Sequence, residues 1–357
     1  MLSIVLGTRP EIIKMAPVIR YCEESEIPYH ILHTGQHYSY SMDRTFFEQL
    51  ELPNAHFNLD VGSGTHGAQT GKILEGIEKV LMKSNVDEVL VQGDTNTVMA
   101  GALAATKLHI KVGHVEAGLR SFDRTMPEEI NRIVSDHISD HLFPPTENSK
   151  RFLLDEGIDE NRIFVCGNTI VDSVMQNLEL SKDKVDPLKD LDLQEKGFAL
   201  VTAHRAENVD DMTRFKNIIA GLRLFKETSE LKILYPIHPR ARKFLEKFKI
   251  DTTGIDIVEP VGFLEFLQLE SSAKVVLTDS GGVQEETCIL RTPCVTLRDN
   301  TERPETVDVG SNIIAGTLPD DIERSAVKMM GKNGDWESPF GDGTAGKQIV
   351  DICLDRQ

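Results

Sequence analysis

Three carboxylates stand where apolar runs give way to polar turns or where a helix opens. Asp94 follows the apolar run in Val91-Gln92-Gly93-Asp94-Thr95. Glu116 ends a β-run in Gly113-His114-Val115-Glu116-Ala117-Gly118, between apolar and small residues. Glu128 follows Pro127 at a helix start. Buried carboxylates are rare unless paired or functional. The plainer roles are an N-cap for Asp94 and a helix-dipole partner for Glu128. Thr95 can take the cap instead, leaving Asp94 to project. Gathered beside one substrate, the three can remove and return protons, and like charges held close raise at least one pKa.

A second set suits a diphosphate. Gly7-Thr8-Arg9-Pro10-Glu11 puts an arginine between strand and helix, with Lys14 one turn along. Helix N-termini already favour anions there, although a solvated Arg and Lys are equally compatible with the spacing. His204, in Val201-Thr202-Ala203-His204-Arg205, can donate to a phosphate or act as an acid; alone it is a weak signal. Thr278-Asp279-Ser280-Gly281-Gly282 follows the apolar Val275-Val276-Leu277 and opens a helix. Ser280, Gly281 and Gly282 therefore offer a hydroxyl and close backbone approach. Glu286 lies one turn in, where a carboxylate can accept from ribose hydroxyls. Arg303, before Pro304, repeats the Arg-Pro-Glu of the first loop and has the forked donors of a phosphate clamp. There is no G-x-G-x-x-G and no Walker sequence, so a dinucleotide site is not supported.

Parallel sheets covered on both faces would position these groups. Short apolar runs alternate with amphipathic stretches along the whole chain. Strands are expected at Leu2–Leu6, His30–Leu32, Val86–Val91, Lys111–Val115 and Arg162–Val165. Helices are expected after Thr8-Arg9-Pro10-Glu11, which has a capping-box form, and over Gln69–Met82 and Thr97–Leu108. The pattern restarts after a polar stretch at Ser181–Lys196. It continues through strands Phe198–Val201, Lys232–Tyr235, Val275–Leu277 and Cys294–Leu297. Val209, Met212, Phe215, Ile219, Leu222 and Phe225 recur at helical spacing between them. Two doubly wound α/β domains are thus expected, residues 1–168 and 169–343. A last helix near 344–357 can pack back on the first. Ligands of such sheets bind beyond the strand C-termini, so the loaded loops should gather at one cleft.

With 357 residues and a net charge of -18, the chain does not read as a nucleic-acid or membrane-surface protein. No run approaches the ~18 apolar residues of a membrane span, and the N-terminus lacks the form of a signal peptide. The five cysteines are odd in number and form no C-x-x-C pair. They read as thiols of a reducing, cytoplasmic compartment rather than a disulfide framework or a zinc site.

Taken together, Gly7–Glu11, Gly93-Asp94-Thr95, His114–Arg120, Pro127–Arg132, Thr278–Gly282 and Thr301–Glu305 resemble the non-hydrolysing UDP-N-acetylglucosamine 2-epimerases. The resemblance runs from Gly7 to about Gly310. It implies two Rossmann-like domains in the glycosyltransferase-B arrangement, usually as a homodimer closing on a UDP-sugar, with no added cofactor or metal. It also implies catalytic roles for Asp94, Glu116, Glu128 and His204. UDP-sugar contacts fall to Arg9, Lys14, Phe266, Ser280, Gly281, Gly282, Glu286 and Arg303, with Phe266 near the uracil; as a plain helix residue, Phe266 would serve the core. Val261 stands where some members carry glutamine. Gln36 and His37 resemble part of the site where bacterial members hold a second, activating UDP-N-acetylglucosamine. Tyr38–Met42 departs from that pattern and no arginine lies in 60–72, so the resemblance does not extend to bacterial-style activation. The implied reaction is reversible C2 epimerisation through UDP elimination, a 2-acetamidoglucal and re-addition. The competing readings are a hydrolysing epimerase, a glycosyltransferase of the same architecture, a non-catalytic UDP-sugar sensor, and a modified UDP-sugar as substrate.

Overall fold

A computed structural model describes residues 1–36 and 40–355, and the side chains of residues 40–43 fall outside that description. His37 lies outside the described residues. The chain divides into two compact units, Met1–Met175 with Phe340–Gln357, and Gln176–Pro339.

The first unit holds β1 (Leu2–Leu6), β2 (Tyr29–His33), β3 (Phe57–Asn58), β4 (Glu88–Gln92), β5 (Lys111–Val115) and β6 (His141–Phe143). They form one parallel sheet in the order β3-β2-β1-β4-β5-β6. β1 and β4 are buried along their whole length, as strands with helices on both faces must be. Val5, Leu32, Val89 and Val91 pack with Ile73 and Ile77 of the His66–Leu81 helix and with the alanines of the Asn96–Lys107 helix.

The second unit holds β7 (Phe198–Thr202), β8 (Lys232–Pro236), β9 (Asp256–Val258), β10 (Val275–Thr278), β11 (Cys294–Thr296) and β12 (Asn312–Ile314). Their order is β12-β11-β10-β7-β8-β9, again parallel. Counted within its own unit, each sheet has the doubly wound order 3-2-1-4-5-6. The winding reverses between β1 and β4 in one unit and between β7 and β10 in the other.

The Ala345–Cys353 helix returns to the first unit and lies on the Arg9–Glu24 helix. Gly346 permits that approach, since a Cβ there would sit 2.9 Å from Pro17. Asp172 accepts from the amides of Ala345 and Gly346, and the Tyr21 hydroxyl donates to Asp351 at 3.0 Å.

Two expectations fail locally. Arg162–Val165 is not a strand. Arg162 closes a 3-10 turn, and only Ile163 bridges to Leu142. Its neighbour β6 runs into Pro144 and Pro145, which lack the N–H needed to extend a ladder. The helical spacing from Val209 to Phe225 is also broken. Val209 ends a short Ala206–Val209 helix, and Asp211 caps a new one, Met212–Ser229, by accepting from the Arg214 amide at 2.8 Å.

Candidate active site

In the first unit the β1–α and β4–α loops flank the point where the winding reverses. Glu11, in the first turn of the Arg9–Glu24 helix, is buried. Its carboxylate accepts from the Gly7 amide at 2.5 Å and the Thr8 amide at 3.1 Å, the latter being the returning half of the capping box. The other oxygen accepts from the Thr95 hydroxyl at 2.6 Å, joining the two loops. Burial pushes this carboxyl up to about 7, against the pull of those hydrogen bonds, and the nearby Asp94 charge adds to the rise.

Thr95 takes the N-cap of the Asn96–Lys107 helix, so Asp94 is available for other contacts. Asp94 pairs with Arg132 at 2.6 Å, and its carbonyl accepts from Asn131 at 2.9 Å. Both partners belong to the Pro127–Ile138 helix. Arg132 also pairs with Glu129, which accepts from the amides of Ser121 and Phe122 and fixes the preceding loop. Adjacent glutamates thus diverge: Glu129 is buried in structural bonds, whereas Glu128 is exposed. Asp94 and Glu128 line one pocket of about 260 Å³, with Gln36, His66, Gln69 and Asn96 also in its wall.

Glu116 is only 7% exposed and sits in the left-handed region at φ 69°. That conformation costs a non-glycine residue about 1–2 kcal/mol, so neighbours must hold it. They do so through Asp136. His114 donates to Asp136 at 2.7 Å, and Gly118 N–H and Arg120 converge on the same carboxylate. Burial works against a charged His114, but the Asp136 charge and hydrogen bond outweigh it and raise the imidazole. The turn then aims Glu116 at Lys14, 2.5 Å away, and at the Gln92 side-chain amide. Lys14, expected against an anion, is here the partner of Glu116. Arg9 lies over the Phe46 ring, 5.9 Å from its centre. Gln36 accepts from the amide and hydroxyl of Thr97 at 3.0 and 2.7 Å, so it braces the helix start as well as lining the pocket.

In the second unit, the organising group is Asp279. It is fully buried just past β10 and accepts from the amides of His204 and Arg205 and from the Asn208 side chain. The His204 ring nitrogen Nδ1 stands 3.4 Å from the same carboxylate, while 41% of the side chain stays exposed. Burial lowers the imidazole below its ordinary value, with Asp279 opposing and His238, Arg205 and Arg240 assisting. Adjacent strands β7 and β10 therefore place His204 and Ser280 together at their C-terminal ends. Ser280 is the cap residue of the Gly281–Ile289 helix and makes no side-chain cap bond. Space is open above the two glycines: a Cβ on Gly281 would meet nothing closer than 3.6 Å, and one on Gly282 nothing closer than 3.9 Å.

Arg303 donates to the buried Glu285 at 2.6 Å. Arg298 forks onto Glu302 at 2.8 and 3.0 Å and holds that carboxyl down to about 2, with Arg205 and Arg303 adding to the fall. Glu286 is half-buried beside Glu270. Glu270 is wholly buried, and burial followed by the Glu286 charge pushes its carboxyl well above the usual range. Phe266 is half-buried against the apolar cluster of Leu200, Leu234 and Val276. Sequence reasoning read Glu11 only as part of a capping box and missed the supporting roles of Asp136, Arg132, Asp279 and Glu270. Each supports a named residue from a distant segment, and only Glu11 lay in a motif with a visible reason to be acidic.

The family described as UDP-N-acetylglucosamine 2-epimerase matches residues 20–354. A UDP-N-acetylglucosamine 2-epimerase of Methanocaldococcus jannaschii is 56% identical, with 98% of each chain covered. A UDP-2,3-diacetamido-2,3-dideoxy-D-glucuronate 2-epimerase of Pseudomonas aeruginosa is 41% identical, with 97% of each covered. Among solved structures, the M. jannaschii UDP-GlcNAc 2-epimerase in complex with UDP-GlcNAc and UDP aligns over 99% of both chains, at 55% identity and a TM-score of 0.86.

Proposed function

The chain belongs to the UDP-N-acetylglucosamine 2-epimerase family, and on that premise we propose that it interconverts UDP-N-acetylglucosamine and UDP-N-acetylmannosamine without hydrolysing either. The observation that carries this reading is Glu116, a buried carboxylate in a strained turn, ion-paired to Lys14. Its partners Lys14 and Gln92 hold it in place, and proton transfer at carbon requires a carboxylate so fixed.

In the reaction, a carboxylate from the set Asp94, Glu116 and Glu128 takes the C2 proton. The C1–O bond breaks, its electron pair leaves with UDP, and a C1–C2 double bond forms. Return of a proton to the opposite face of C2, with re-addition of UDP at C1, completes the inversion. The C2 proton is a poor acid, so the step depends on stabilising the departing diphosphate. The amides of Gly281 and Gly282, the Ser280 hydroxyl, His204, Arg9 and Arg303 are assigned that role. Glu286 is assigned the ribose and Phe266 the uracil. His204 is held toward its neutral form in the free protein, and an arriving diphosphate favours the imidazolium, which then balances the charge on leaving UDP. Exclusion of water from the glucal separates this outcome from release of free N-acetylmannosamine.

The relative at 56% identity favours the N-acetylglucosamine substrate over the diacetamido uronate named for the relative at 41%. The reading further takes the enzyme as a cytoplasmic homodimer, supported by the family resemblance; sedimentation of the purified chain checks the second part. Incubation with UDP-N-acetylglucosamine in heavy water is the decisive experiment. UDP-N-acetylmannosamine carrying deuterium at C2 is expected. Free N-acetylmannosamine and UDP would instead identify a hydrolysing enzyme, and binding without deuterium entry would identify a sensor.

A further inference from the structure

At the opposite end of the first sheet, three potential metal ligands converge from separate elements. Glu88 opens β4, His141 opens β6, and Cys353 ends the Ala345–Cys353 helix. One ligand atom from each lies within 4.8 Å of the others. Glu88 is 1% exposed. One of its oxygens meets His141 Nδ1 at 2.7 Å. The other is buried with no N–H or O–H partner among the described residues and has the Cys353 thiol beside it, a weak partner for a buried carboxylate. Between the two strands, β5 carries Gly113. A Cβ there would lie 3.1 Å from the Glu88 carboxylate and 2.6 Å from Leu90, so the glycine keeps the space open.

We propose that Glu88, His141 and Cys353 bind one zinc ion, which fastens the Ala345–Cys353 helix to the sheet. A carboxylate, an imidazole and a thiolate form a mixed O, N, S set. The sulfur disfavours magnesium and calcium and suits zinc. The ion displaces the thiol proton of Cys353 and the proton shared by His141 and Glu88, both of which pass to solvent. The 2+ charge then meets one carboxylate and one thiolate, leaving a centre with no net charge, as a buried position favours. With a water in the fourth position, tetrahedral bonds of the usual lengths put the protein ligand atoms about 3.5 Å apart, so small side-chain rotations suffice. Without the ion, burial and the adjacent Glu88 keep Cys353 a neutral thiol. The site is remote from the proposed chemistry. β4 has Glu88 at one end and Gln92, which contacts Glu116, at the other, about 13 Å along a strand. The zinc is therefore structural, and the inference does not depend on the proposed reaction.

The full chain, incubated with zinc and desalted, should retain about one zinc per chain. Against a chromophoric chelator, Cys353→Ser should bind zinc at least ~100-fold more weakly while turning over substrate as the parent does. Replacing zinc by cobalt should give a near-ultraviolet thiolate-to-metal band that is lost in Cys353→Ser and kept in Cys166→Ser. Failure of the parent to retain zinc, or a cobalt band that survives in Cys353→Ser or vanishes in Cys166→Ser, would overturn the assignment.

Discussion

The two sheets share one strand order, and each places its polar groups where the winding reverses, but the two places are furnished in opposite ways. Around β1, β4 and the adjoining β5 the groups are carboxylates, each held by a cation or a ring of donors: Glu116 by Lys14, Asp94 by Arg132, Glu11 by loop amides and Thr95. Around β7 and β10 the buried carboxylate of Asp279 draws in the amides of the histidine loop, and Ser280 leaves the neighbouring helix start without a side-chain cap bond of its own. The first arrangement suits groups that exchange protons at fixed positions. The second suits an anion that arrives and departs. The same backbone thus supports proton chemistry or anion binding according to which end groups decorate it.

If that division holds, substitutions of the first-unit carboxylates should act on turnover alone, and those around the second-unit helix start should also weaken UDP binding. The largest effect is expected for Glu116→Gln. Turnover should fall by ~100-fold or more, with little change in UDP affinity by calorimetry. A drop in affinity with preserved turnover would dissolve the contrast. Next comes Asp279→Asn, which turns one acceptor into a donor facing amides. The substitution should cost roughly 1–3 kcal/mol of stability and weaken UDP binding, measured by unfolding and titration. Wild-type binding would show that the histidine loop does not depend on this carboxylate.

Gly281→Ala should be smaller and cleaner. The free chain has room for the methyl group, so stability should hold while KM rises by ~10-fold, about 1.4 kcal/mol. An unchanged KM would remove the helix start from the binding role. The smallest effect on activity is expected for Glu11→Gln, whose signature is in pH. With its carboxyl raised from 4.5 to about 7 in the fold, the folded state holds a proton that the unfolded state has released. That contribution is full below pH 4.5 and is lost as pH rises to about 7, roughly 3 kcal/mol in all. Denaturant midpoints of Glu11→Gln should therefore fall less over this window than those of the parent. Equal slopes would place the ionisation elsewhere.

Much of this was legible in the sequence, and the illegible part has a physical pattern. β1, β4, β7 and β10 announce themselves because strands buried on both faces are largely apolar runs. β3, β6, β9 and β12 have only two or three residues each, too few for any periodicity. The first group of reactive residues was visible because turn chemistry surrounds it: Thr95 beside Asp94, and the glycines after Ser280. Their supports were not. Asp136 reaches His114 from 22 positions away and Asp279 reaches His204 from 75, and a lone Asp inside a helix or after a strand carries no mark of its partner. Lys14 shows the converse. Its spacing from Arg9 suggested an anion, and only folding reveals the nearer claim of Glu116, 102 positions on.

The helix Ala345–Cys353 gives the chain an order of assembly. It completes the first unit, yet a ribosome makes it only after every strand of the second. Until it emerges, the flank of the Arg9–Glu24 helix around Pro17 and Tyr21 lacks its cover, and Asp172 lacks the two amides it accepts from. The earlier-made half of the protein is thus the last to close. A purified chain truncated after Pro339 should carry a folded second unit and a protease-sensitive first one.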